Sequence, residues 1–292
     1  MKPEWLTIKP ASTEKYSKIK ETVNSLGLHT VCVEAKCPNI TDCWSIGTAT
    51  FMILGDICTR GCRFCSVSKM SKGAEVDPSE PHKLALAIRE WKLEHVVITS
   101  VCRDDLPDQG AEHFANCIKE IKKENRNTIV ELLIPDFRGD RECLGTITAA
   151  QPEVIGHNIE TVERLSPKLR DGRAKYSQSL AVLKATKELD RRIHTKSAIM
   201  LGLGETEEEA IQSMKDLRDA EVDFLAIGQY LRPTKSQIEV QEYIKPERFA
   251  YLREKALQLG FLYVAAGPFV RSSYKAGEFF IKRTVKESTA IC

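Results

Sequence analysis

The stretch Cys58-Thr-Arg-Gly-Cys-Arg-Phe-Cys65 decides how the rest of the sequence is interpreted, because it holds three cysteines within eight residues. Three residues separate the first pair and two separate the second, so one short loop presents three thiols. A cubane [4Fe–4S] cluster has four iron corners that thiolates usually hold, so three ligands from one loop leave one iron open. We expect Arg60 and Arg63 to offset the negative charge of such a cluster.

Structural zinc is the main alternative for this loop. Zinc sites usually show two separated CxxC-type pairs, whereas here the cysteines form triplets with no histidine at finger spacing. The CxxxCxxC pattern, with Phe64 before its last cysteine, resembles the signature of the radical S-adenosylmethionine (SAM) superfamily. The resemblance implies that Cys58, Cys62 and Cys65 hold a [4Fe–4S] cluster. SAM would bind its open iron and be cleaved to methionine and a 5′-deoxyadenosyl radical.

A second cysteine triplet precedes the first. Cys32, Cys37 and Cys43 are separated by four and then five residues, and Pro38 and Asn39 favour a turn rather than a helix. The alternative is that some of these cysteines are buried apolar residues. Two triplets so close in sequence are hard to explain without two clusters, so the spacing predicts a second iron–sulfur cluster.

The composition of the whole chain is that of an ordinary soluble globular protein. Hydrophobic residues make up 42% and charged residues 29% of its 292 residues. A net charge of +2 gives no reason to expect nucleic acid or a membrane surface as a partner. The first residues include an acid and no long apolar core, so we predict neither a signal nor a transit peptide, and a cytoplasmic protein. Ten cysteines then favour metal or redox use over disulfides.

From residue 50 onward, apolar runs of strand length alternate with helical patterns. The predicted strands are Thr50–Leu54, His95–Val101, Thr128–Ile134, Glu153–Gly156, Ser197–Leu201 and Phe224–Gly228. The predicted helices lie near Ser79–Glu94, Ala111–Asn125, Asp140–Ala150, Tyr176–Arg191, Thr206–Ala220 and Pro246–Leu259. This alternation predicts a parallel sheet with right-handed crossovers. Six units fit an incomplete (β/α)6 TIM-like barrel, the fold typical of radical SAM enzymes, while a doubly wound sheet stays open on the pattern alone.

We predict three regions along the chain. Residues 1–48 form an N-terminal extension with a helix over Tyr16–Leu28, ended by Gly27, and the second triplet. Residues 49–262 form the partial barrel, and residues 263–292 form a C-terminal extension.

Polar residues follow each predicted strand, where ligands of parallel α/β folds bind. These segments are Arg103-Asp-Asp105, Pro135-Asp136, His157-Asn-Ile-Glu160, Gly202-Leu-Gly-Glu205 and Gln229-Tyr230. Taken singly they are ambiguous: Thr206 is predicted to cap a helix, the Arg-Asp-Asp run fits a solvated loop equally well, and His157 fits a core position. Together they predict a ligand site.

The candidate SAM contacts follow from the groups that SAM carries. Its carboxylate favours arginine, its ammonium an acid or a carbonyl oxygen, and its ribose hydroxyls a carboxylate or an amide. Asn158, Glu160 and Arg173 are the residues that we expect to supply these contacts.

The motifs after residue 30 together resemble those of the lipoyl synthase family. The match rests on the Cys32 triplet with Cys37-Pro-Asn, Gly47 to Asp56, the Cys58 loop, Arg103-Asp-Asp-Leu-Pro, Ile134-Pro-Asp-Phe, Met200-Leu-Gly-Leu-Gly-Glu and Gly267-Pro-Phe-Val-Arg-Ser-Ser-Tyr274. The second triplet combined with the Arg-Ser-Ser-Tyr ending is highly specific. Two positions depart from the pattern, because Cys102 stands where relatives usually carry Asp, and the segment after Thr234 lacks the usual His.

This resemblance implies insertion of two sulfur atoms at C6 and C8 of an octanoyl chain that is amide-linked to a lysine of a lipoyl carrier domain. The Cys58, Cys62 and Cys65 cluster would generate the radical. A second cluster on Cys32, Cys37 and Cys43 would donate sulfur, with the second serine of Arg-Ser-Ser-Tyr, Ser273, as its fourth ligand.

The resemblance also implies three kinds of partner. They are the octanoylated carrier domain (a 2-oxoacid dehydrogenase E2 or the glycine cleavage H protein), a ferredoxin or flavodoxin reductant, and an iron–sulfur cluster carrier. Two other functions stay open: another radical SAM sulfur-insertion enzyme, acting on biotin or tRNA, and a non-catalytic two-cluster electron carrier.

Overall fold

The computed structural model describes residues 3–7, 13–45 and 50–273. The chain divides into two compact units. We call Ile8–Gly61 with Cys65–Val154 the N-terminal unit, and Met1–Thr7, Cys62–Phe64 and Ile155–Cys292 the C-terminal unit. Each unit is built from mostly parallel strands with helices between them.

Within its described residues, the N-terminal unit contains six strands: β1 (His29–Thr30), β2 (Thr50–Ile53), β3 (Ile57–Cys58), β4 (Ser68–Lys69), β5 (His95–Ser100) and β6 (Ile129–Leu133). Its helices are α1 (Glu14–Ser25), α2 (Val31–Glu34), α3 (Ile40–Ser45), α4 (Glu80–Trp91), α5 (Ala111–Glu124) and α6 (Arg141–Ala149). The order β1-β2-β5-β6 is parallel except for β1, which pairs antiparallel with β2. The short strands β3 and β4 form a separate parallel pair.

The next strand, β7 (Val154–Gly156), begins at the last residue of the N-terminal unit, and the C-terminal unit carries the rest of it with β8 (His194–Leu201), β9 (Phe224–Gln229) and β10 (Tyr263–Gly267). Its helices are α7 (Ser166–Leu169), α8 (Tyr176–Leu189), α9 (Glu207–Asp219) and α10 (Pro246–Gln258). Strands β8, β9 and β10 are parallel neighbours. All six residues of β9 are buried, as expected for a parallel strand covered on both faces.

An apolar core fixes these helices against the strands. In the C-terminal unit, Leu183 of α8, Met214 of α9 and Phe249 of α10 are each at most 1% exposed and pack in one cluster with Leu225 and Ile227 of β9. This packing is the tertiary reason that the helical patterns of the sequence form helices here, because it buries their apolar faces.

The six predicted strands and six predicted helices are all confirmed, with ends that shift by a few residues. The helix predicted over Tyr16–Leu28 is α1, and Gly27 follows it with a φ of +64°, a left-handed value that glycine adopts without strain. Thr206 caps α9 in a capping box with Glu209, also as predicted.

Two features were missed. Strand β10 adds a further parallel strand beside β9, with Tyr263 opposite Phe224, in the region that we assigned to the C-terminal extension. Short helices α2 and α3 flank the predicted turn at Pro38 and Asn39, so the second triplet is not one continuous loop. Local capping explains α2, because Thr30 accepts a hydrogen bond from the Val33 amide at 3.4 Å.

None of the helices within the described ranges is long and apolar enough to cross a membrane.

Candidate functional site

The cysteine loop begins on a strand that is itself paired. Cys58 ends β3 and lies opposite Lys69 of β4, and the Met70 amide donates to the Cys58 carbonyl at 3.1 Å. Cys58, Cys62 and Cys65 are half-buried, and no cysteine in residues 3–273 that the structure describes forms a disulfide. The three residues therefore carry thiol groups and not disulfides.

Arg60, inside the loop, is clamped by two buried carboxylates from the ends of β5 and β6. Its Nε and Nη2 atoms donate to the two oxygens of Asp104, each at 2.8 Å. Its Nη1 donates to Asp136 at 2.8 Å. The three side chains are at most 4% exposed. This network fixes the backbone of the loop two residues after Cys58.

The opposite charges of this network stabilise one another. Burial raises the pKa of Asp104, but hydrogen bonds from Arg60 outweigh burial and hold that pKa well below its usual range. Burial lowers the pKa of Arg60, while Asp104 and Asp136 raise it by more, so the guanidinium stays charged. The charge of Arg60 is also among the causes that lower the pKa of Cys58, and its offsetting of the charge of a bound cluster stays a prediction.

The Arg103-Asp-Asp run is buried rather than solvated. Arg103 is 2% exposed and binds both oxygens of Asp105 at 2.9 Å, and its Nη1 donates to the Leu54 carbonyl at 3.2 Å. The Gly73 amide donates to Asp105 at 3.2 Å, and a Cβ added to Gly73 would lie 2.3 Å from Arg103 Nε. This pair ties the end of β2 to the segment after β4.

Cys102, the departure from the family pattern, contacts Cys58, the first cysteine of the loop. Its carbonyl accepts from both the amide of Thr59, at 3.0 Å, and the Thr59 hydroxyl, at 2.9 Å. A side-chain hydrogen bond from Cys102 lowers the pKa of Cys58 to about 6, and the same bond together with burial raises the pKa of Cys102. Of the two thiols, Cys58 therefore loses its proton more readily than Cys102.

Cys62 belongs to the C-terminal unit and is held there by backbone groups. The Asp171 amide donates to Cys62 Sγ at 3.3 Å, and the Arg63 amide donates to the Leu169 carbonyl at 2.8 Å. Phe64 packs against an apolar cluster that consists of Val162, Leu165, Leu169, Leu203 and Tyr230. The aromatic residue in the motif therefore anchors the loop in an apolar surface.

Two of the three predicted SAM contacts lie together after β7. Asn158 Nδ2 donates to Glu160 Oε1 at 3.1 Å. Glu160 has a φ of +68°, and its backbone bridges to β8 beside Ile199. Burial raises the pKa of Glu160, and the nearby charge of Arg170 partly opposes that shift.

The third predicted contact, Arg173, is paired elsewhere. It is exposed, and its Nε donates to Asp171 Oδ1 at 2.8 Å. Sequence reasoning missed Arg170, which is 7% exposed and donates from Nη1 to Ser179 at 2.8 Å. Within the described residues the buried Nε of Arg170 has no hydrogen-bond partner. The sequence could have indicated Arg170 as a second candidate, because Arg170 and Arg173 stand on the same short loop.

Other polar residues at strand ends serve the fold. His157 is 4% exposed and its Nε2 lies 2.8 Å from Ser179 Oγ, which makes it a core histidine. Gln229 bonds through its amide to the Leu201 and Glu242 carbonyls and to the Ile244 amide. The Glu205 carboxylate accepts hydrogen bonds from the amides of Gly202 at 2.6 Å and Leu203 at 2.9 Å, within the same loop.

The second triplet is spread over two short helices. Cys32 lies in α2 and Cys43 in α3, and the Cys37 amide donates to the Cys32 carbonyl at 3.1 Å. Cys32 is 8% exposed, and burial raises its pKa to about 11. Among the residues that the structure describes, no three metal-binding side chains of any kind come close enough to hold an ion.

Within the N-terminal unit, the segment after Cys65 contacts the helix that carries Cys32. Ser66, the residue after Cys65, donates from its hydroxyl to the Glu34 carbonyl at 3.0 Å. Glu34 ends α2, the helix that carries Cys32. One hydrogen bond therefore links the segment after the first triplet to the helix of the second.

Ser273, the predicted serine ligand, belongs to the C-terminal unit and is half-buried. The residue before it, Ser272, donates to Asn158 Oδ1 at 3.1 Å. Tyr274 of the Arg-Ser-Ser-Tyr motif and residues 47–49 of the Gly47 motif lie outside the described residues.

Comparison with known proteins gives two kinds of match. The family model of the radical SAM superfamily matches residues 52–217. The chain is 50% identical over 286 residues to a lipoyl synthase of the apicoplast from Plasmodium falciparum (isolate 3D7), covering 98% of this chain and 69% of that protein. It is 52% identical over 293 residues to a mitochondrial lipoyl synthase from Culex quinquefasciatus, covering 99% and 77%. In two further Plasmodium relatives the chain spans 65% and 57% of their length.

A solved structure shares the fold at low sequence identity. The FeFe-hydrogenase maturase HydG from Carboxydothermus hydrogenoformans matches with a TM-score of 0.58 and 14% identity, covering 80% of this chain and 65% of that one. A likeness at such identity concerns the fold alone, here an α/β fold with a mostly parallel sheet.

Proposed function

Because the chain belongs to the lipoyl synthase family of the radical SAM superfamily, whose members are sulfurtransferases, we propose that it inserts two sulfur atoms into a protein-bound octanoyl chain. The sulfur atoms would enter at C6 and C8 of an octanoyl group held on a lysine of a lipoyl carrier domain. Family membership carries a [4Fe–4S] cluster and SAM as cofactors. The assignment of residues to these cofactors is our proposal.

We propose that Cys58, Cys62 and Cys65 hold the cluster that binds SAM. Support comes from the chemistry of the donors, three reduced and half-buried thiols on one eight-residue loop. Bound there, cluster and SAM would supply a radical able to take hydrogen from an unactivated C–H bond, which acid–base side chains cannot do. The chain itself positions the cysteines. Arg60 and its two carboxylates hold the loop after Cys58, and the packing of Phe64 holds it before Cys65.

We propose that Asn158 and Glu160 bind SAM, since their amide and carboxylate suit its hydroxyl and ammonium groups. For the SAM carboxylate the chain offers Arg173 and Arg170. The unpartnered buried Nε of Arg170 suits a carboxylate, because an orphaned charged donor is costly without a ligand. Arg173 is already engaged with Asp171, so Arg170 is the stronger candidate.

We propose that Cys32, Cys37, Cys43 and Ser273 hold the second cluster, which would donate sulfur. Thiolates are the usual soft ligands of iron–sulfur clusters, whereas a serine alkoxide is harder and more basic, so acid releases it more readily. A releasable corner suits a cluster that must surrender sulfur. The ligands would lie in N- and C-terminal extensions, residues 1–48 and 263–292, around an incomplete (β/α)6 barrel of residues 49–262.

The proposed function sets the partners. The substrate would be an octanoylated E2 or H protein domain, the reductant a ferredoxin or flavodoxin, and a cluster carrier would rebuild the second cluster. The cytoplasmic location stays a prediction, because the relatives are named for the apicoplast and the mitochondrion.

The observation that carries the proposal is a chain about half identical to a lipoyl synthase over 98% of its length, with both cysteine triplets in place. The test is mass spectrometry of an octanoyl-lysine peptide incubated anaerobically with reconstituted protein, SAM and dithionite. We expect the dithiolated product together with 5′-deoxyadenosine and about eight irons per chain.

The other functions give different results in the same assay. A biotin- or tRNA-directed enzyme would form 5′-deoxyadenosine only with its own substrate. An electron carrier would cleave no SAM. An iron content of about four per chain would contradict the second cluster.

A further inference from the structure

A chain of two hydrogen bonds joins the segment after β10 to the residues that follow β7. Ser272 Oγ donates to Asn158 Oδ1 at 3.1 Å, across 114 residues of sequence. Asn158 Nδ2 then donates to Glu160 Oε1 at 3.1 Å. The function proposed above uses Asn158 and Glu160 but assigns nothing to Ser272.

The direction of these bonds is fixed by the groups involved. A carboxylate only accepts hydrogen bonds, so the NH₂ group of Asn158 faces Glu160 and its carbonyl oxygen faces Ser272. That oxygen only accepts, and therefore Ser272 donates. Turning the amide over would break both bonds at once, so the two contacts support each other.

Packing brings the segment to this point. Val270 is 7% exposed and lies in an apolar cluster with Ala198, Ala226 and Ala265 from β8, β9 and β10. A Cβ added to Gly228 would lie 2.2 Å from the Val270 carbonyl oxygen, so only glycine allows the segment this close to β9. Directly before Ser273, the hydroxyl of Ser272 adds a polar contact that holds the same segment.

We propose that Ser272 is a positioning residue that holds Ser273 in place through Asn158 and Glu160. The inference rests on the proposed function, in which Ser273 is a ligand of the second cluster and Asn158 and Glu160 contact SAM. One chain of hydrogen bonds then connects the SAM contacts with the cluster ligand. Because coupling between two sites is reciprocal, SAM binding steadies Ser273, and a fixed Ser273 favours SAM binding.

The first test measures hydrogen exchange of the holoenzyme in a peptide that covers residues 266–273. Loss of one such hydrogen bond should speed exchange about fivefold in Ser272→Ala. Ser272→Thr keeps a hydroxyl and should exchange like the wild type. The matched control is Ser25→Ala, which removes a hydroxyl at the end of α1 that donates to the Thr22 carbonyl, and it should leave the peptide unchanged.

A double-mutant cycle with Asn158→Ala tests the route of the effect. If Ser272 acts through Asn158, the double variant should exchange no faster than Asn158→Ala alone. Independent, additive effects of the two substitutions would overturn the proposal, as would wild-type exchange in Ser272→Ala.

The spectrum of the second cluster gives a readout that a general loss of stability would not reproduce. Mössbauer spectra of Ser272→Ala should show the site change that Ser273→Ala produces, while Ser272→Thr stays like the wild type. An unchanged spectrum in Ser272→Ala would also overturn the inference. Failure of the proposed function can be distinguished from failure of the inference about Ser272. If the proposed function fails, the wild type itself forms no 5′-deoxyadenosine.

Discussion

The guanidinium of Arg60 donates to the carboxylate of Asp136 at 2.8 Å, and neither side chain is more than 3% exposed. The two residues are 76 positions apart, one inside the cysteine loop and the other at the end of β6. This buried pair transfers the rigidity of the sheet to the loop that presents Cys58.

Asp136→Ala should destabilise the protein by about 3 kcal/mol, because it removes one of two partners from a buried cation. Urea unfolding of the reduced apoprotein measures the change. The matched control is Lys83→Ala, which breaks the exposed pair with Asp77 and should cost no more than about 1 kcal/mol. Equal losses in the two variants would show that the Arg60 pair contributes no more than a surface pair.

The contribution of Asp104 to the free energy of unfolding should decrease at acidic pH. Its pKa in the folded protein lies below the unfolded value, so its contribution is full above the unfolded pKa of about 3.9 and is lost as the pH falls below that value. The difference in unfolding free energy between wild type and Asp104→Asn should therefore shrink between about pH 6 and about pH 3. A difference that stays constant over this range would contradict the folded-state shift.

Cys102→Ala should lower the reduction potential of the SAM-binding cluster. A hydrogen bond to a ligand sulfur stabilises the more negative, reduced state, and the side chains of Cys102 and Cys58 share a hydrogen bond. Because a thiol is a weak donor worth about 0.5 kcal/mol, we expect a shift of about 20 mV for one electron. A redox titration followed by EPR measures it. Cys102→Ser keeps a hydrogen-bond donor, so the reduction potential of this variant should be no lower than that of the wild type.

Gly73→Ala should destabilise the protein by about 1–3 kcal/mol, because its new methyl group meets the buried Arg103 guanidinium. Gly145→Ala provides a control of opposite sign. Gly145 lies in α6 with no atom near an added Cβ, so alanine there should stabilise by about 0.5–1 kcal/mol. Thermal or urea unfolding measures whether Gly73→Ala lowers and Gly145→Ala raises the free energy of unfolding. A stabilised Gly73→Ala variant would contradict the close contact between residue 73 and Arg103.

Arg170→Ala should weaken SAM binding more than tenfold, whereas Arg173→Ala should change it little. A charge-assisted hydrogen bond to a carboxylate is worth about 1.5–3 kcal/mol, and only Arg170 has a buried donor left over for it. Calorimetry of SAM binding to the reconstituted protein measures both. Urea unfolding of Arg170→Ala separates a binding defect from a folding defect, since Arg170 also bonds to Ser179. A larger effect at Arg173 would restore our sequence-based assignment.

The sequence determined the features that depend on near neighbours along the chain. The alternation of apolar runs and helical patterns gave the order of strands and helices, and the spacing of Cys58, Cys62 and Cys65 indicated a cluster loop. The capping box at Thr206 was predictable for the same reason, because a cap and its partner are three residues apart. Strand β10 escaped notice since five residues of mixed burial carry little periodicity.

Only the tertiary structure decided which polar residues pair with one another. Composition allowed Arg103-Asp-Asp105 to be a solvated loop and His157 to be a ligand, yet the first is a buried ion pair and the second a core residue. The bonds from Arg60 to Asp136 and from Ser272 to Asn158 cross 76 and 114 residues. No local pattern encodes such partners, because burial and packing of the completed sheet determine which donors and acceptors meet.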